Sequence, residues 1–298
     1  MISNAIKRGD KMIQISDIDN AFIYYGIDSK YKDRCYQCID NINGNASFLE
    51  AFDRINDTLN YSDFTNIRKL WKYKDVNELF CQDIDPFITN IIIILSYKTS
   101  QENIKQYHLD DEQIRINKNR IKQCFESDLI HRGYDSVRIS QMLWAFYFIR
   151  VKIIEVGRLQ YELSETNMNN SIIYIHIPGG RKLNFDEVID SIRLSKIKLK
   201  EVYNIDNVIY KCDSWLLSKQ VNKIIDKNSN IYKFYKLFDV VEGDNCIEDI
   251  LNFVYQKKQV NNYSELEEDT SLQRLIKNEL LNGTNFNIGN GILKEWFF

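Results

Sequence analysis

Residues 171–183 read Ser171-Ile-Ile-Tyr-Ile-His-Ile-Pro-Gly-Gly-Arg-Lys-Leu183. Ile172–Pro178 is an almost unbroken apolar run rich in β-branched isoleucine, which suits a strand covered on both faces. Alternation puts Ile173, Ile175 and Ile177 on one face and Ile172, Tyr174 and His176 on the other. Pro178 ends the strand, and Gly179-Gly180-Arg181-Lys182 supplies two glycines and two cations. Strand, glycine turn and helix start together form a common way of presenting backbone N–H groups to a phosphate.

Working outward, Asn184 with Glu187 three residues on forms a capping-box pattern. Val188, Ile192 and Ile197 are expected to continue an apolar helix face towards Val202. Val208–Cys212 then reads as a second short strand, running into Cys212-Asp213-Ser214-Trp215. Strand, helix, strand at this spacing implies a crossover between two parallel strands. Ligands of open α/β sheets bind beyond the carboxyl ends of their strands. The topology therefore gathers His176, Gly179, Gly180, Asp213 and Ser214 at one rim. Upstream, Arg158–Leu163 alternates strictly, with Leu159, Tyr161 and Leu163 opposite Arg158, Gln160 and Glu162. A polar turn over Ser164–Asn170 pairs this segment antiparallel with Ile172–Pro178.

Residues 1–128 carry only the helical period. Ile18, Phe22 and Tyr25 share one face, as do Phe48, Phe52, Ile55 and Leu59. Pro86 opens a helix bearing the Ile91–Leu95 cluster, and Asp110–Leu129 presents Ile114, Ile121 and Phe125. Gly133 breaks the pattern before a helix with Val137, Trp144 and Phe148. Near the other end, Ser229 caps a helix whose face is Ile231, Phe234, Tyr235 and Phe238. Ile247–Tyr255 is expected as a strand, and Thr270 as the cap of a helix ending at Gly283. The tail NFNIGNGILKEWFF is expected to form a turn and an edge strand.

The 298 residues hold 39 basic and 42 acidic side chains, a net charge of −3 that offers nucleic acid no basic field. The N-terminal segment lacks the apolar core of a signal peptide, and Phe87–Leu95 is too short to span a bilayer. Six cysteines in such a chain are expected as reduced thiols in the cytoplasm. Cys35-Tyr-Gln-Cys38 has neither a second pair nor a spaced histidine to complete a metal set, so no metal is expected.

Several pieces recur in a known order: RLQYE after Gly157, IHIP with Leu183 beyond it, CDSWLL, SNI with Phe234 and Phe238, TSLQR, and a glycine-containing tail. Together they resemble bacterial acyltransferase-domain proteins that join an α-helical N-acyltransferase-like N-terminal domain to a GNAT-like C-terminal domain. The resemblance implies an α+β chain. Residues 1–128 would form the helical domain, and residues 129–298 a mixed α/β domain with a twisted, mostly antiparallel sheet. It also implies acetyl-CoA or another acyl-CoA as co-substrate, and a small-molecule or peptide amine as acceptor. No nucleic acid and no membrane partner is implied.

The resemblance further assigns the coenzyme pyrophosphate to Pro178, Gly179, Gly180, Arg181 and Lys182. The superfamily's Gln/Arg-x-x-Gly-x-Gly/Ala signature is absent, and Asp186 and Glu187 stand at the helix start. That departure keeps a second reading open, a GNAT-like binding or sensing module without catalysis. Acyl transfer to an amine needs a base, a donor to the thioester oxygen and an acid for the thiolate. His176 is the candidate base, or else a bonded core histidine. Glu162 is a base acting through water, or a solvated strand carboxylate. Asp213 orients the amine or caps the SWLL turn. Tyr235 resembles the superfamily's general-acid tyrosine, or it is a core residue.

Overall fold

A computed structural model describes residues 12–61, 85–131, 133–166, 171–257 and 259–294. Part of the polar turn expected over Ser164–Asn170, namely residues 167–170, lies outside these, as do the first 11 residues. The chain divides into two compact units, Met1–Lys152 and Ile153–Phe298. That division falls later than the Gly133 break because the helix after Gly133 packs into the first unit.

The described part of the first unit is helical: α1 (Ile15–Tyr25), α2 (Lys32–Asn43), α3 (Ala46–Tyr61), α4 (Ile88–Leu95), α5 (Tyr97–Gln106), α6 (Asp111–His131) and α7 (Ile139–Ile149). Helix α4 is buried from Ile88 to Ile94, including its two polar residues. Burial of a polar group is tolerated only when it is bonded. The Asn90 side chain accordingly donates to the Phe125 carbonyl (3.2 Å) and accepts from the Val137 amide (2.9 Å), while Thr89 donates to the Val137 carbonyl (2.7 Å). Cys35 and Cys38 are fully buried free thiols on α2, and burial pushes the Cys35 thiol up to about 12. No group of three metal-ligating side chains occurs among the described residues, and no helix there is long and apolar enough to cross a membrane.

The second unit is a six-stranded sheet of β1 (Ile153–Val156), β2 (Leu159–Thr166), β3 (Ser171–His176), β4 (Val208–Ser214), β5 (Phe238–Asn245) and β6 (Asn287–Leu293). Their spatial order is β1-β2-β3-β4-β6-β5, and only β3 and β4 run parallel. The crossover between them is α8 (Phe185–Tyr203), whose Asn184 cap accepts from the amides of Asp186 and Glu187. Ile173 and Ile175 of β3 face α8 in a core shared with Leu159, Tyr161, Tyr210 and Cys212. Ser191 and Ser195 bind the helix to the sheet: the Ser191 hydroxyl meets Tyr161 (2.9 Å) and the Ser195 hydroxyl meets Tyr210 (2.7 Å). The remaining helices are α9 (Lys219–Ile224), α10 (Asn230–Lys236), α11 (Ile247–Val254) and α12 (Ser271–Leu281).

Four sequence expectations need correction. Ile247–Tyr255 is helical, because Ile247, Ile250, Leu251 and Val254 follow the i, i+3, i+4, i+7 spacing behind acidic Glu248 and Asp249. Phe238 begins β5 instead of extending α10, which stops at Lys236. The C-terminal strand is interior, lying between β4 and β5. Ile197 is 56% exposed, since nine residues from Val188 is half a turn out of phase; Ser191, Ser195 and Leu199 complete the buried stripe.

Interior β6 carries glycines where other elements lie against it. A Cβ at Gly289 would stand 2.2 Å from the Leu217 carbonyl, inside the 3-10 turn Trp215–Leu217. Gly289→Ala is expected to cost about 2 kcal/mol or more of stability in a urea melt. Gly179→Ala, with nothing within 4 Å of the new methyl, is the near-neutral control.

Candidate active site

The parallel ladder of β3 and β4 has four register pairs: Ser171 with Val208, Ile172 with Ile209, Ile173 with Tyr210, and Tyr174 with Lys211. There it stops. Beyond it, Ile175 and His176 stay paired to β2 through Tyr161 and Gln160. Cys212, Asp213 and Ser214 stay paired to β6 through Gly291, Asn290 and Gly289. Both strands continue past their common ladder, each held only on its outer side. The sheet therefore opens between β3 and β4 at their carboxyl ends.

Alternation and register place Glu162, Tyr174, His176, Lys211 and Asp213 on the face away from α8. His176 Nε2 lies 2.8 Å from Glu162 Oε2. The carboxylate accepts, so Nε2 carries the proton, which in a neutral imidazole leaves the lone pair on Nδ1. Asp213 is exposed at the mouth of the opening; partial desolvation raises its carboxyl above the ordinary aspartate value, against the pull of Lys211 and His176. His176 thus stands between two carboxylates, one bonded and one across the gap.

Glu162 is not the solvated strand carboxylate that the sequence left open, and its neighbours on that face, Arg158 just before β2 and Gln160 within it, are buried as well. Arg158, Gln160 and Glu162 are 4%, 3% and 3% exposed, and each is bonded. Gln160 donates to Glu155 (2.7 Å). Arg158 Nη2 donates to the Arg181 carbonyl (2.8 Å), and its Nε to that of Lys182 (3.3 Å). This buried guanidinium anchors the glycine turn by its carbonyls. In a trans peptide the N–H points opposite to the C=O. The amides of Lys182 and Leu183 consequently face away from Arg158, and among the described residues nothing accepts from the amides of Gly179 to Leu183.

Gly180 has φ +82°, a conformation that favours glycine. Pro178 is half-buried, and Gly179, Arg181 and Lys182 are exposed. Arg181 is ion-paired to Glu187, which offsets one of the acidic charges at the start of α8. The first-turn amides are already taken by Asn184, so the open donors lie in the turn before the helix.

Tyr235 is half-buried on α10 and packs with the α8-side core, its ring 6.1 Å from that of Tyr232. The structure brings Glu162, His176 and Asp213 together on one face and leaves Tyr235 with the opposite one. Lys211 went unnoticed in the sequence; its i, i+2 spacing from Asp213 on a strand was the available signal.

Residues 153–293 match the GNAT-like C-terminal domain family. The match spans nearly the whole of the second unit. Solved structures share the fold over nearly the whole chain. An acyltransferase in complex with decanoyl-CoA superposes with a TM-score of 0.68 at 17% identity, covering 95% of this chain and 89% of its own. An acyltransferase with decanoyl-CoA and teicoplanin gives 0.69 at 15%, covering 97% and 90%. Another, with CoA and 10C-teicoplanin, gives 0.64 at 14%, covering 93% and 99%. No curated protein matches the sequence.

In the second unit, Lys211→Met removes a cation that lowers the Asp213 pKa. Asp213 is therefore expected to titrate at still higher pH in the variant, read from its side-chain carboxyl carbon by NMR. An unchanged or lower midpoint would show that the two groups do not share a field.

Proposed function

We propose that the protein is an acyl-CoA-dependent N-acyltransferase. The observation that carries this reading is the opening between β3 and β4, bordered by the unbonded amides of Gly179 to Leu183. Such a notch suits a thioester arm, and the turn's amides with Lys182 suit a diphosphate. The acyl-CoA complexes of the structural neighbours support the donor, and the one holding teicoplanin, a glycopeptide, supports a peptide-like acceptor.

In this reading the acceptor ammonium sits between Asp213 and His176. His176 Nδ1 takes its proton, with Glu162 holding the imidazole in the required tautomer. The amine nitrogen attacks the thioester carbonyl, the tetrahedral adduct collapses as the C–S bond breaks, and the proton left on the adduct's nitrogen passes through solvent to the departing thiolate, since Tyr235 lies with the opposite face of the sheet. Acetyl is the simplest acyl group, and a panel of chain lengths decides which is used.

A second reading keeps the fold as a binding module. The acidic start of α8 and its Asn184 cap favour it, since both disfavour a diphosphate at the helix itself. Thiol release from acyl-CoA in the presence of amines distinguishes the two. Wild type is expected to turn over, and His176→Ala to lose about 10²–10⁴-fold in kcat/KM. Acyl-CoA is expected to raise the melting temperature, and Gly180→Glu to abolish that rise. No release and no thermal shift with any acyl length from acetyl to decanoyl would favour the binding module.

A further inference from the structure

Among the described residues, two opposite charges on this sheet face feel each other's field but have no bonded partner. Lys211 and Asp213 stand two residues apart on β4, so their side chains leave the same face about 7 Å apart. Lys211 is in register with Tyr174, the last rung of the parallel ladder, and Asp213 lies beyond it beside the opening. Among the described residues, neither the Lys211 ammonium nor the Asp213 carboxylate has an ion pair or hydrogen bond. The other acids of this face are engaged, Glu155 with Gln160, Glu162 with His176, and Asp239, two strands from Lys211, with Lys294. The neighbouring strand leaves the face uncovered: Asn290, opposite Asp213, is exposed, and Ile292, opposite Lys211, is 50% exposed.

A half-buried lysine and a nearby acid that do not reach each other complement a ligand carrying both charges. An extended dipeptide unit spans about 7 Å, the same length as their separation. We infer that the site takes a zwitterionic amine, with its ammonium at Asp213 beside His176 and a carboxylate about one dipeptide unit away on Lys211. Lys211 is then the residue that selects carboxylated acceptors over neutral amines. The inference rests on the acyl-transfer reading only in calling this ligand the acceptor.

The test is calorimetric binding of glycylglycine and of glycylglycine amide to the full chain, with and without CoA. Wild type is expected to bind the acid about tenfold tighter than the amide. Lys211→Met should remove that advantage by weakening the acid, and Lys211→Arg should restore it. Asp213→Asn should weaken both ligands alike. Equal binding of acid and amide, an advantage that persists in Lys211→Met, or no binding of either at millimolar concentration would overturn the inference. Thiol release, assayed separately, keeps the two claims apart. Acid preference without release leaves the inference standing and removes the transferase. Release with neutral amines, independent of Lys211, does the reverse.

Discussion

The second unit depends on where one hydrogen-bonded ladder ends. Central strands are normally bonded on both sides, because an unpaired backbone N–H or C=O that is buried costs free energy. β3 and β4 meet this rule for four pairs and then abandon it. Two constraints draw them apart. On one side, β3 stays in register with β2 as far as His176, which is tied to Glu162. On the other, β4 stays in register with β6, and its end turns into Trp215–Leu217, packed onto Gly289 and Gly291. The glycines matter because any side chain there would push the turn, and β4 with it, off the sheet.

The same arrangement explains why so much polarity is buried in β2. Arg158 holds the turn that follows β3, and Glu162 holds the imidazole at the end of β3. Both are almost fully buried, where an uncompensated charge would be untenable. Their bonds fix two distant points of one opening: the amides at its floor and the histidine at its rim. The charges left over, on Lys211 and Asp213, are those a ligand can use.

The β3–turn–α8 stretch was legible because its signals are local. An isoleucine run, Pro178, two glycines and an Asn cap each constrain the backbone within a few residues. The parallel β3–β4 pair followed from the strand–helix–strand spacing, and the helical first unit from repeated i, i+4, i+7 faces. Where long-range packing decides, the sequence was ambiguous. Ile247–Tyr255 is as apolar as a strand, and only its phase betrays a helix. The interior place of β6 depends on Leu217 nesting against its glycines, a contact 72 residues distant in sequence between Leu217 and Gly289. At the candidate site, the strand positions of His176, Glu162 and Asp213 were legible, and register puts them on one face. The buried pairings of Arg158 and Gln160, and the unmatched charge of Lys211, depend on neighbours contributed by other strands.

In the proposed function, an acyl-CoA enters the gap between β3 and β4 and bonds to the turn at its floor. Amide hydrogen exchange on the full chain, with and without acyl-CoA, measures this directly. Fast exchange is expected at residues 179–183 in the free protein, and protection at that turn and at the ends of β3 and β4 when ligand is present. Slow exchange throughout the free protein, or protection appearing only elsewhere, would contradict it.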